Sequence, residues 1–586
     1  MPGQLRQTLY GYQIFFILLT AVIGHGVFGS NGAALAAAGP GGLIVSIAVI
    51  SGVTICVGEC VGEMTQQFPI PNSMVAYVQA FVDEDLGLVI GLCYWYSYAA
   101  AFAIQNATVA TLTYYWRSGN EPDRQAWQAL AFYVVCPSVL FGLNMTGVFY
   151  YGLIETISGA LKVVLIVATS IYLYIIAAEG HGLIKDPSSL TWFTKPDFLS
   201  NIPKATSSFA IPLVAYSFQG VEIAAMAAFE ARDARALRWP SKWTVYAVAL
   251  FYIMCSVGEA LTVSHDDTHL RSTDDSICTG ESSPPFSASM IVIAAWNAGH
   301  KTLAGFLNGC LMFSVISAAN TSLYASSRSM YGLAQLINTP NWIQRKLEWV
   351  GHVDSKTGVP VGALLLSTLA FCWIPFLQLG CKREQLITNM SISTSTSCMI
   401  VWAALCLAYL RYYYWLDKCD DVLQRDYPSF SRNSPKYTPR VNLQRFQPIP
   451  AWIGLIGCLL FFGFSSAEWW DHPERANPGN IASAYGVHIV LLVLLLVRKL
   501  FKGRLFRKWG VDRTDNGHNL ADILEALQSK HIHDGDASDD GTWLPDIRLR
   551  PLPLRSSPRD EVWTDREREH VNGSVVRRRT LPMPSI

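Results

Sequence analysis

From Gln7 to Gly58 the chain carries no Asp, Glu, Lys or Arg. No water-soluble domain leaves so long a stretch uncharged, because charged residues make up about a quarter of an ordinary soluble sequence. Here they make up 15% of the chain, against 51% hydrophobic residues, and they crowd into the part after residue 500. A bilayer core takes about 20 mostly apolar residues per helical crossing. Twelve windows of that kind occur, near residues 12–37, 42–68, 86–116, 126–145, 151–178, 205–229, 243–264, 302–328, 359–380, 385–411, 450–468 and 481–499, numbered below as spans 1 to 12. The first is a span rather than a cleaved signal peptide, since Arg6 is all the basic n-region it has and more apolar sequence follows at once. The expected fold is an all-α polytopic membrane protein.

An even number of spans puts both termini on one side, and basic loops mark that side as cytoplasmic. Arg232, Arg235, Arg238 and Lys242, the stretch from Arg328 to Lys356, the Lys and Arg between Arg411 and Arg445, and Arg498 to Lys508 all fall there, whereas His265 to Glu281 is acidic. The expected organisation is a short cytoplasmic N-terminus (1–11), spans 1–5 (12–178), spans 6–10 (205–411), a cytoplasmic loop (412–449), spans 11–12 (450–499) and a mostly disordered cytoplasmic tail (500–586). Net charge is zero, which gives no basic field for nucleic acid. Thirteen cysteines show no CxxC pair and no histidine cluster joins them, so neither a metal site nor another cofactor is expected. The sequons at Asn106, Asn144, Asn389 and Asn572 lie in spans, at a helix end or in the tail and read as chance matches.

Three features exceed what a merely apolar helix needs. Span 1 holds four glycines in nine residues, Gly24-His25-Gly26-Val27-Phe28-Gly29-Ser30-Asn31-Gly32. Each costs about 1 kcal/mol relative to alanine in a helix, which favours an interruption with bare backbone groups. Close helix packing through small residues is the plainer alternative. Span 6 has a second weak point, Ser217-Phe218-Gln219-Gly220, followed by Glu222. Breaks in spans 1 and 6 fit two inverted five-helix repeats whose half-helix ends present dipoles to a charged ligand near the midplane, and an α-carboxylate suits such a site. Phe218 either closes over that ligand or packs beside the break. His25 either titrates beside the carboxylate or fills space through a hydrogen bond.

Lys162 is the second feature, a charge in the middle of apolar span 5. It is either a proton-coupling group or a donor that satisfies carbonyls of a broken neighbour. The third is span 8, where Ser317, Asn320 and Thr321 form one polar stripe at i, i+3, i+4 spacing and the span ends at Arg328, read as a cytoplasmic anchor. Glu59 and Glu63 read as helix-end residues beside the Asp83-Glu84-Asp85 loop. In the tail, Leu520, Ile523, Leu524 and Leu527 have amphipathic spacing for docking on the membrane or on the cytoplasmic face of the helix bundle.

These residues also carry a family pattern. Ile23-Gly24-His25-Gly26-Val27-Phe28 with Gly39-Pro40, Phe81-Val82-Asp83, Tyr94-Trp95-Tyr96, Tyr151-Gly152 with Glu155 and Lys162, Phe218 with Gly220, Glu222 and Glu230, and Ser317 through Arg328 with Gly358-Val359-Pro360 appear in order. Together they resemble the fungal amino-acid permeases of the amino acid-polyamine-organocation superfamily, over roughly residues 10–505. The resemblance implies a leucine-transporter-like 5+5 inverted repeat plus two helices, and a secondary active transporter, not an enzyme, that imports amino acids by proton symport with alternating access. It implies that the backbone of Gly24, His25 and Gly26 holds the substrate carboxylate. Phe218, Gly220, Glu222 and Asn320 join the site, Glu222 holding the ammonium, and Lys162 and Glu222 couple protons. The partners implied are an amino acid, a proton, the lipid bilayer, most simply the plasma membrane, and regulatory proteins on the tail. Departures from the pattern are His25, Leu153, Asp233-Ala234 and Gln105, the last an amide where the family often has a glutamate. They keep a gradient-independent exchanger or uniporter as an alternative; a non-transporting nutrient sensor and a channel are the other two.

Overall fold

In a computed structural model, the residues described are 7–24, 26–116, 122–179, 205–232, 234–265, 267–271, 287, 289–336, 341–379, 384–466, 478–502 and 517–535. Among them the secondary structure is helical, apart from one parallel bridge between Leu9 and Ala231. Among the described residues, eight helical stretches are long and apolar enough to cross a bilayer, and Gly11–Gln67 accounts for two windows at once.

Span 1 runs as Gly11–Val22, breaks, and resumes through a π-helical turn, Gly26–Ser30, into Asn31–Gln67. That long helix contains span 2 as well, with a kink at Gly39, whose φ of 70° suits glycine and whose neighbour Pro40 cannot continue the hydrogen-bond ladder. Span 6 is split in the same way into Ala205–Ser217 and Ile223–Ala227, with Gly220 at φ 127° between them. Spans 3, 5, 7, 8, 10 and 12 are the helices Glu84–Leu112, Val148–Ala178, Arg238–Thr262, Lys301–Leu336, Glu384–Lys418 and Pro478–Phe501. Span 4 ends in Cys136–Met145, span 9 begins as Val361–Leu369, and span 11 is the shorter Ile449–Phe464.

The interior is built by spans 3 and 8 lying side by side. Phe102 of span 3, Ala319 and Leu323 of span 8, Leu140 of span 4 and Leu364 of span 9 share one buried cluster. Ala100, Ala103 and Ala107 keep the next face of span 3 flat against Ile374. Large apolar side chains point outward from the peripheral helices instead, among them Ile157, Leu161 and Val164 of span 5 and Val490, Leu492 and Val493 of span 12. That inversion suits a hydrocarbon surround.

Two expectations change here. Arg328 is no surface anchor: span 8 continues to Leu336, and the guanidinium, 4% exposed, donates to Glu230 Oε1 at 2.9 Å. Glu59 and Glu63 do not face the Asp83 loop. Both are buried on the long helix and hold the connection between spans 10 and 11. Glu63 accepts from Tyr409 (2.6 Å) and Tyr437 (2.7 Å) and pairs with Arg432 (3.2 Å), while Glu59 accepts from Tyr246 and from the backbone N–H of Leu443. Asp83 caps span 3 and Asp85 lies one residue into it, where they bind the end of span 12 through Lys499 and Arg498. The amphipathic tail segment is the helix Gly517–Gly535, with Leu520, Leu524 and Leu527 buried and Gly517 packed against Val422 of the helix Asp420–Asp426. The sequon residues Asn106, Asn144 and Asn389 are buried, and Asn572 lies outside the described residues.

Arg432→Ala leaves Glu63 buried without its cation, and a broken buried pair typically costs about 3–5 kcal/mol. The expected outcome is a clear fall in the unfolding midpoint of the purified protein, with no change for the exposed Lys436→Ala.

Candidate functional site

A break in a membrane helix frees carbonyl groups that water does not reach, so each needs another donor. In span 1 three other helices supply them. Lys162 Nζ of span 5 donates to Thr20 O at 2.8 Å, Tyr252 OH of span 7 to Val22 O at 2.6 Å, and Ser314 Oγ of span 8 to Ile23 O at 3.2 Å. Tyr252 OH is also 2.8 Å from Ser217 O, the carbonyl at the break of span 6, so one hydroxyl ties the two interruptions together.

The breaks also touch directly. A Cβ on Gly26 would lie 2.3 Å from Ser217 Cα, and one on Gly24 would lie 2.7 Å from Ala318 Cβ. A Cβ on Gly220 would lie 2.9 Å from Ala21 Cβ. Small-residue packing and helix interruption, alternatives in the sequence, coexist here.

Beside this junction lies a small, partly open cavity. Ala21, Val22, Gly24 and Gly26 of span 1 form one wall, Tyr98, Ala101 and Gln105 of span 3 another, and Tyr216, Gln219 and Ser322 complete it. Ser322 Oγ donates to Gln105 Oε1 at 3.1 Å and Gln219 Nε2 to Ser97 Oγ at 2.9 Å. Among the described residues this lining holds no Asp, Glu, Lys or Arg.

Of the residues singled out in the sequence, Gly24, Gly26 and Gln105 reach the cavity. His25 lies outside the described residues. Phe218 does not reach it and packs edge-on against the Tyr252 ring, 4.8 Å between centroids. Glu222 sits one hydrogen bond behind it, accepting from Tyr98 OH, from Trp402 Nε1 at 2.9 Å and from Gly220 N at 3.3 Å. Asn320 belongs to a separate polar layer with Lys162. It receives a hydrogen bond from Asn144 (2.8 Å) and donates to Glu155 Oε1 (2.6 Å), and Glu155 interacts electrostatically with Lys162 two turns further along span 5. Tyr98 and Tyr216 escaped the sequence reading, and Gln219 and Ser322 were read only as part of the span-6 weak point and the span-8 pattern, because an isolated hydroxyl or amide in a span carries no signal until the facing helices are known. Glu259 escaped too, although it is a lone ionisable residue in an apolar span, as Lys162 is.

Paired broken helices around a neutral polar cavity, in a bundle with outward apolar faces, define a membrane transport protein. The amino acid permease family model matches residues 13–511, and the chain belongs to that family. It is 25% identical over 535 residues to an amino-acid permease of Candida albicans, covering 90% of this chain and 79% of that one. A lysine/arginine permease of the same organism is 26% identical over 543 residues, 91% of this chain and 86% of the relative. The dicarboxylic amino acid permease of Saccharomyces cerevisiae is 25% identical over 424 residues, 70% and 65% respectively.

Gly26→Ala would force the two breaks apart. Overpacking of this kind costs about 1–3 kcal/mol, so substrate affinity should fall by roughly five- to hundredfold in an equilibrium binding assay while membrane insertion is retained.

Proposed function

We propose that the chain imports amino acids with uncharged side chains by alternating access, as a proton symporter of the plasma membrane with both termini cytoplasmic. The observation that carries this reading is the cavity between the two breaks, bounded on one side by the glycine backbone of span 1 and free of charged lining residues. The substrate carboxylate meets the backbone N–H groups at the start of the resumed helix, where the dipole favours an anion. The ammonium turns towards the Tyr98 and Gln219 side, behind which Glu222 adds negative charge. A charged substrate side chain would lose its hydration without gaining a counter-charge, which costs several kcal/mol. The relatives named for lysine, arginine or dicarboxylic substrates therefore differ from this chain in what they accept.

Lys162 is the coupling group in this mechanism. Its ammonium holds the end of the first half-helix at Thr20, so losing the proton weakens that grip and changes which side of the bundle opens. No covalent bond is made or broken. Gln105 favours a second reading, gradient-independent exchange, because it places an amide, which takes up no proton, in the cavity wall.

Uptake into proteoliposomes decides between them. An inward proton gradient should drive accumulation of labelled neutral amino acid, and equal uptake without a gradient would leave exchange. In competition, neutral amino acids should outcompete lysine and aspartate by at least about tenfold, or 1.4 kcal/mol. Lys162→Ala should abolish accumulation yet preserve counterflow exchange; full accumulation by that variant would remove Lys162 from the coupling role.

A further inference from the structure

Span 7 contains a carboxyl group that the cavity does not use. Glu259 is fully buried, and Asn31 Nδ2 donates to its Oε2 at 2.9 Å. Asn31 is the first residue of the helix that resumes span 1 after its π-turn. The same amide nitrogen reaches Ser256 Oγ at 3.2 Å, so both its hydrogens have acceptors. Two oxygens, Glu259 Oε1 and Asn31 Oδ1, are buried and accept no hydrogen bond from another helix among the described residues, the weak Cys255 thiol of the same helix being a further donor to the carboxyl. Both accept and neither donates while the carboxyl is ionised.

One proton on Glu259 resolves both. A neutral carboxyl opposite a carboxamide forms a two-bond ring, with N–H donating to one carboxyl oxygen and the carboxyl O–H donating to the amide oxygen. Electrostatics point the same way. No cation pairs with Glu259 among the described residues, and a buried carboxylate without a counter-charge is strongly disfavoured. From the elements packed around it, span 5 brings the Ser170 hydroxyl beside Cys255, span 1 brings Asn31, and the neighbouring titratable group is the Cys255 thiol on its own helix.

We propose that Glu259 is a second proton-binding site, protonated while it is paired with Asn31 and ionised when movement of the resumed half of span 1 separates the pair and admits water. The proton is taken from water on one side of the membrane and returned to water on the other, with no other bond changing. The proposal rests on the proton-symport reading for its role in transport, but the protonation itself stands apart from it.

Infrared difference spectroscopy of the purified full chain tests the protonation first. A carbonyl stretch of a protonated carboxyl should be present at neutral pH, should vanish in Glu259→Gln, and should shift in Asn31→Ala. A spectrum unchanged by Glu259→Gln overturns the assignment. Glu259→Gln is isosteric with the protonated acid and keeps the ring with Asn31, so folding should be retained. In proteoliposomes it should exchange substrate at equal pH but fail to accumulate it on a proton gradient; accumulation at the wild-type level overturns the coupling role. If wild-type uptake ignores the gradient while the band behaves as described, proton symport falls and the buried protonated carboxyl stands.

Discussion

The interruption of span 1 is the constraint on which the arrangement depends. Three of its freed carbonyls, Thr20, Val22 and Ile23, are met by donors from spans 5, 7 and 8. A helix broken in hydrocarbon persists only where such donors exist, since each unmet group costs several kcal/mol there. The three donors therefore do more than stabilise the break: they specify which helices surround it. Span 6 follows because its own break must lie where Tyr252 reaches Ser217 O, and the absence of a Cβ at Gly26 is what lets the two breaks touch.

A second set of contacts closes the face that carries the basic loops. Arg328, Glu230 and Tyr324 join spans 6 and 8 in one buried cluster, the guanidinium carbon 4.7 Å from the Tyr324 ring centre. The segment before span 1 is tied to the residues after span 6 through Leu9 N to Glu230 O and Arg232 N to Leu9 O. These bonds fix the outer end of the first half-helix, while Tyr252 and Lys162 fix its inner end. Any opening on this side must break the backbone pairing or carry both segments together. On this same face, Glu63 with Arg432 secures the end of the long helix against the loop between spans 10 and 11.

The spans were legible because the bilayer imposes a local requirement: a run of apolar residues of given length shows itself without reference to partners. The breaks were legible for a similar reason, since Gly24, Gly26 and Gly220 carry their helix-breaking tendency wherever they stand. The facing of side chains was not. Phe218 and Glu222 flank a break that was correctly located, yet helix rotation turns one onto Tyr252 and sets the other behind Tyr98. Asn320 shares a stripe with Ser317 and Thr321, but its partners Asn144 and Glu155 lie on other helices and draw it into the Lys162 layer. Arg328 and Glu63 were misread because their partners are distant in sequence, and a charge near a helix end resembles an anchor until a buried counter-ion is found.

Lys162 and Glu259 stand on opposite sides of the same interruption, one bonded to Thr20 at the end of the first half-helix and the other to Asn31 in the resumed one. Their electrostatic requirements differ in sign. An ammonium held by a carbonyl is favoured by charge, whereas a carboxyl facing a carboxamide is favoured by neutrality. Hydration therefore loosens both contacts by different routes: water competes with the carbonyl for the ammonium, and it stabilises the ionised carboxylate over the neutral ring. A state that wets one end of the break and dries the other changes the relative stability of the half-helix positions without any new residue entering the site. Since a ligand shifts such an equilibrium only through unequal affinity for its states, the proposed zwitterionic substrate would act on the same break from the cavity side, where Gly24 and Gly26 line the wall that both groups help to position.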